Sequence, residues 1–149
     1  MANIIYNAGL AQLQKSSGNW ESTTYKCMLE RDTSTYTPDK DHANLAAFTG
    51  FVEISVSGYA RQTITSPAVT VDNANDKVII DCADIDFGTL ASGQTVKSII
   101  IYRDGADDNN RIPLLRIDTD AGGLLPRELG GGNFKVQIAA EGLLATSQV

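Results

Sequence analysis

The sequence predicts an all-β domain, a β-sandwich or jelly roll with little helix. Three observations carry this prediction. Short runs alternate apolar and polar residues with period two, Ser98 to Tyr102 (SIIIY) is a continuous β-branched run, and turn residues separate the runs without any regular strand–helix alternation.

The opening IIYNAGLAQLQKSSG spaces Ile4, Ile5, Ala8, Leu10, Ala11 and Leu13 by threes and fours before Ser-Ser-Gly ends the pattern, which predicts one short N-terminal helix. Thr24 to Glu30 (TYKCMLE) sets Tyr25, Cys27 and Leu29 against Lys26, Met28 and Glu30, the alternation of a half-buried strand. The helix-like ANLAAF after His42 predicts a second short helix near residues 41–48, with Asp39 or Asp41 as its N-cap. From Gly58 onward come YARQTIT, AVTV, KVIIDCA, TVKSIIIYR, PLLRID and NFKVQIA, each bounded by turn residues. Asp72 to Lys77 has the length and chemistry of a hairpin loop. SIIIY suits a strand buried on both faces, whereas Phe134, Val136 and Ile138 alternate with Lys135 and Gln137 and suit a strand with one wet face. Ala121 to Gly132 (AGGLLPRELGGG) brackets a small apolar and charged tip with glycines and predicts a mobile loop.

With 149 residues and 15.9 kDa the chain fits a single domain spanning 1–149, since one core is readily buried at roughly 100–150 residues. No run approaches the roughly 20 apolar residues that span a bilayer, so no membrane partner is expected. The opening MANIIYNAGL reads as neither a secretory signal nor a targeting peptide, which points to synthesis in a cytoplasm. A net charge of −6 and a pI near 4.6 repel phosphates, so nucleic acid is not expected either. Cys27 and Cys82 sit in apolar or alternating runs and read as small buried hydrophobes, with a disulfide as the other possibility.

The search for chemistry returns structural readings. Serine or cysteine catalysis needs a base, and the single histidine, His42, reads as a polar residue at a helix start. No Gly-x-Ser-x-Gly surrounds any serine. Asp118 begins like a calcium loop, but Gly122 stands at the fifth position and Leu129 at the twelfth, where an oxygen ligand and a bidentate glutamate belong. The acidic stretch from Asp104, DGADDNN, reads as a hairpin loop. Zinc lacks partner ligands, and the glycine-rich stretch has no phosphate-binding signature. No enzyme, metal or cofactor is expected.

One resemblance covers nearly the whole chain. The ordered series NAGLAQLQ, Trp20 with TYKCMLE, YTPDKDH, EISVSGYARQTI, VTVDNANDKVIIDCADIDF, IIIYRDG and PLLRID resembles a family of small virion proteins of tailed bacteriophages. That resemblance implies a two-sheet, jelly-roll type sandwich that decorates or cements the outside of an icosahedral head, commonly as a homotrimer, with the major capsid protein as partner and the virion surface as its location. It makes Tyr36, Pro38, Asp39, Asp41 and His42 a structural corner, and makes Gly58 and Tyr59 a reset of the backbone before the next strand. Two features depart from the family pattern: Val56 follows Ser55 where glycine is frequent, and AGGLLPRELGGG is long. For the clamps on the shell, the candidates are the N-terminal Ala2, Asn3, Ile4, Ile5 and Tyr6 and the tip Leu124, Leu125, Pro126, Arg127, Glu128 and Leu129. The alternative is a tail or head-fibre component with a receptor- or carbohydrate-binding role, for which Trp20, Tyr36, Tyr59 and Tyr102 are the candidate stacking rings.

Overall fold

A computed structural model describes residues 3–119 and 125–147. It is mostly β-strand in antiparallel ladders with one short α-helix. The central sheet has the order β1 (Ile4–Ile5), β8 (Ile112–Ile117), β7 (Thr95–Arg103), β2 (Tyr25–Arg31) and β3 (Gln62–Thr63), and β9 (Arg127–Glu128) pairs with the start of β7. A hairpin of β4 (Ala68–Asp72) and β5 (Lys77–Asp81) is extended by β11 (Leu144–Ser147), and β6 (Ile85–Thr89) pairs with β10 (Asn133–Val136).

β7 runs through the middle of the central sheet, and its residues Ser98 to Tyr102 are buried on both faces, as the β-branched run predicts. Burial on both faces requires two cores. Trp20, Tyr25, Cys27, Leu29, Ile99, Ile101, Phe87 and Phe134 belong to the larger one, which the smaller ladders cover. Tyr6, Met28, Tyr36, Leu45, Phe48, Ile100 and Tyr102 form the second, on the opposite face. There the cover is the irregular chain that carries YTPDKDHANLAAF. Its rings stack: Tyr36 lies 4.4 Å from Phe48 and Phe48 lies 5.5 Å from Tyr6, centroid to centroid.

The second core corrects the reading of β2. Met28 and Glu30 are as buried as Tyr25, Cys27 and Leu29, because the face expected to meet water meets the 36–48 segment instead. Three other expectations change. The helix, α1, occupies Asn7–Leu13, while Ile4 and Ile5 pair with Arg116 and Leu115 as a strand. The β8 edge offers those two β-branched residues ladder partners that a free helix end lacks. The second helix is a single 3₁₀ turn at Leu45–Ala47, capped by Asn44, whose Oδ1 accepts from the Ala47 N–H, and not by Asp39 or Asp41. Finally, the glycine-bracketed tip is no free loop where it is described: Arg127–Glu128 forms β9 and Leu129 is buried in the larger core.

Other turns follow their chemistry. The Asp72 carboxylate accepts from the Ala74 and Asn75 N–H groups and closes the β4–β5 hairpin. In the β7–β8 loop Asp107 does the same for Asn109 and Asn110. Gly9 is buried where α1 crosses β8, and a Cβ there would collide with the Pro113 carbonyl oxygen and Leu114 Cα.

Candidate functional site

Asn3 anchors the N-terminal strand by its side chain. Oδ1 accepts from the N–H groups of Asp118 (3.0 Å) and Thr119 (3.2 Å), and Nδ2 donates to the Thr119 carbonyl (3.0 Å). Ile4 packs on the second core and Ile5 stays exposed. Tyr6 is fully buried, with its N–H on the Leu114 carbonyl and its hydroxyl 2.9 Å from that of Tyr36. Its side chain is therefore core and no contact residue. Ala2 and Leu124 lie outside the described residues.

The corner closes over the same ground. Asp39 Oδ1 accepts from the Asp41 N–H, and the His42 N–H bonds back to the Asp39 carbonyl. Asp41 Oδ1 accepts from Asn7 Nδ2 at 2.7 Å, and the Asn7 N–H bonds the Lys40 carbonyl, so the corner also satisfies the start of α1. His42 Nδ1 lies 3.0 Å from the Tyr36 hydroxyl, which completes a Tyr6–Tyr36–His42 chain. Burial pushes the Tyr6 and Tyr36 phenols above their ordinary values, so both are held as neutral hydroxyls. The arrangement locks a lid onto a core.

Gly58 adopts φ +89°, and a Cβ there would strike the Thr89 carbonyl oxygen. Tyr59 follows it, donating to Glu53 Oε1 at 2.5 Å, accepting from the Leu29 N–H, and stacking on Phe87. Burial and the neighbouring Glu53 charge hold its phenol protonated. Gly58 thus takes a backbone conformation that favours glycine, while Tyr59 is held by its side chain.

Two surface hollows adjoin these residues. Asn3, Ile4 and Ile5 face Thr37, Pro38, Asp39 and Lys40 across a shallow hollow of about 510 Å³, so the N-terminal candidates and the corner share one surface. On the other side of Asn3 lies a cleft of about 240 Å³ with an apolar wall that includes Ile99, Ile117, Phe134, Val136 and Ile138. Leu125 and Arg127 line that cleft, with the Arg127 guanidinium over the Phe134 ring at 5.1 Å. Asn3 thus joins the two groups of contact candidates at one end of the molecule. Pro126 and Glu128 flank Arg127, whereas Leu129 is turned into the core.

Sequence reasoning missed a buried ionic cluster beneath this end. Glu30 and Arg116 are both inaccessible to solvent. Arg116 donates from Nη2 to Glu30 Oε2 at 2.8 Å and from Nη1 to Asp118 Oδ2 at 2.6 Å. Ser98 donates to the same Glu30 oxygen, and Lys97 Nζ sits 3.6 Å from the other. Burial alone would raise the Asp118 carboxyl, but hydrogen bonds from Arg116 and Thr119 outweigh it and hold it below the usual range. The signal available beforehand was Arg116 amid apolar residues in PLLRID, with Asp118 two positions on and its other partner, Glu30, in another strand.

For chemistry the inventory is short. Cys27 and Cys82 are free and buried, and burial followed by the Asp81 and Asp84 charges pushes Cys82 up to about 11. Among the described residues no three His, Cys, Asp or Glu side chains are grouped to hold a metal ion, and no helix is long and apolar enough to cross a membrane. Comparison with family models, curated proteins and solved structures finds no match for this chain.

Proposed function

We propose that this protein is a capsid decoration protein of a tailed bacteriophage, binding the outside of an assembled head and stabilising the shell. The observation that carries the reading is the ordered run of motifs from NAGLAQLQ to PLLRID, which resembles small phage virion proteins along nearly the whole chain. The geometry is compatible at two of these motifs. The YTPDKDH corner lids a core, and Gly58 turns the backbone at positive φ ahead of the packed Tyr59 ring. In this reading the ladders build a two-sheet, jelly-roll type sandwich, the partner is the major capsid protein, and the protein acts as a homotrimer. A ligand that binds only the assembled lattice stabilises it by mass action, and three linked copies add avidity.

The surface that meets the shell is the end joined by Asn3: Ile5, Pro38 and Lys40 on one side, Leu125 and Arg127 on the other. The fibre alternative loses its proposed stacking rings, since Trp20, Tyr36 and Tyr102 are buried and Tyr59 is packed on Phe87. The test is to mix the purified protein with expanded heads that lack it, sediment them, and image the pellet by electron microscopy. Density at symmetric positions on the shell supports the proposal. Absence of binding to a competent shell overturns it.

A further inference from the structure

Five large apolar side chains are exposed among the described residues, and three of them, Val69 (41%), Val71 (63%) and Val78 (37%), stand together on the β4–β5 hairpin. Val71 pairs with Val78 and Val69 with Ile80, so all four side chains share one face. β4 is also the edge of its sheet, which runs β11–β5–β4. The phase of that edge is fixed by the register. The Ile80 carbonyl accepts from Leu143 on the β11 side, so Ile80 and its partner Val69 turn their backbone groups away from each other. Val69 and Val71 therefore direct N–H and C=O outward. The Val69 N–H is taken by Glu21 Oε1 at 3.0 Å, and the Val71 N–H and C=O have no partner among the described residues.

We propose that β4 is a self-association edge, and that two copies of this chain join by antiparallel β4–β4 pairing about a two-fold axis through Thr70. The register is self-complementary in both hydrogen bonding and side chains. With Thr70 opposite Thr70 of the second copy, Val69 of each copy falls opposite Val71 of the other. Those are the two residues whose backbone groups point outward, so each pair exchanges two N–H···O bonds. On one face the valines of both copies meet across the junction, and on the other the two threonines do. The strip Ala68 to Val71 carries no charge in a chain of net charge −6, and Asp72 at its end is matched by Lys77 at 3.9 Å. The residues of β4 themselves thus present no uncompensated charge to a second copy, and the acidic group at this edge is Glu21 on the Val69 N–H. Glu21 is the guard: a carboxylate parked on an edge N–H is a device by which proteins blunt unpaired edges, and it must swing aside for pairing. So short an edge makes a small, weak contact, effective where copies are already held close together. The inference is independent of the capsid reading and needs no shell to test.

The experiment is symmetric cross-linking. Opposed residues of a non-hydrogen-bonded antiparallel pair have Cα atoms about 4.5 Å apart, within disulfide reach. The Thr70→Cys variant is oxidised beside Ser92→Cys, a control at an exposed loop position away from the hairpin. The native Cys27 and Cys82 are buried and do not compete. We expect the Thr70→Cys dimer to form at least roughly tenfold faster than the control, to slow to the control rate when Val71→Lys is added, and to speed up severalfold with Glu21→Ala. Val71 is exposed enough that a lysine there leaves the fold intact, which circular dichroism verifies. Equal rates for Thr70→Cys and Ser92→Cys overturn the proposal and leave the edge to an extended segment of some other protein.

Discussion

Arg116 and Glu30 show what a single side chain does here. Removing one member of a buried ion pair leaves the other charged and dry, which costs about 3–5 kcal/mol, whereas replacing both by apolar residues is far milder. Arg116→Met should therefore lower the unfolding free energy in urea by that amount, and Glu30→Met/Arg116→Met should recover a substantial part of it. Asp118, held below the usual carboxylate range, adds a pH dependence. A group with a depressed folded pKa contributes stability that is fully present above its unfolded value, near 3.9, and is lost as pH falls through the folded value. The urea midpoint should thus hold from neutrality to about pH 4 and then fall, and Asp118→Asn should flatten part of that fall while lowering the plateau. The cysteines were legible in the sequence as buried hydrophobes because their neighbours alternate; the ion pair was not, because its partners lie in different strands and only the sheet register joins them. With Cys82 pushed up to about 11 and both thiols buried, a thiol reagent at neutral pH should react with the two cysteines only after denaturant is added.

Among the elements, α1 and the lid over the second core show packing overriding local preference. Alanine is a better helix former than glycine by about 1 kcal/mol, so propensity alone predicts that Gly9→Ala stabilises. The contact with Pro113 and Leu114 reverses that sign: the added methyl lifts the helix off β8, an overpacking cost of typically 1–3 kcal/mol. Thermal unfolding of Gly9→Ala checks it, and a raised midpoint would contradict the packing described. The strands of greatest apolar character, β7 and the β4–β5 hairpin, were visible in the sequence. β6, β11 and β1 were not, since IDFGT is broken by Asp86 and Gly88 and the other two are short pieces held by their partners. The region 36–48 misled for a related reason: ANLAAF has helical composition, yet Asn44 caps only one 3₁₀ turn before Phe48 must enter the core.

Across the whole molecule, the surface joined at Asn3 is where the capsid proposal is tested. Deleting the glycine-bracketed stretch would remove Leu129 from the core, so point changes are the cleaner probe. Ile5→Asp and Arg127→Glu alter residues outside the two cores and should leave the unfolding free energy in urea within about 0.5 kcal/mol of the parent, while each lowers occupancy on expanded heads at least roughly tenfold. Quantitative sedimentation with heads reads both. Unchanged occupancy in the pair of variants would move the contact elsewhere.

By itself the sequence determined an all-β chain, its main strands, its two structural aspartate turns and the buried character of its thiols. These are local properties, set by side-chain period and by the hydrogen bonds a residue makes within a few positions of itself. Only the tertiary structure decided that Met28 and Glu30 of β2 are buried, that YTPDKDHANLAAF is a lid, that Glu30 meets Arg116, and that β4 is left as an edge. Each depends on which segment lies against which, and that is settled by long-range burial and ladder register, terms that no short window of residues contains.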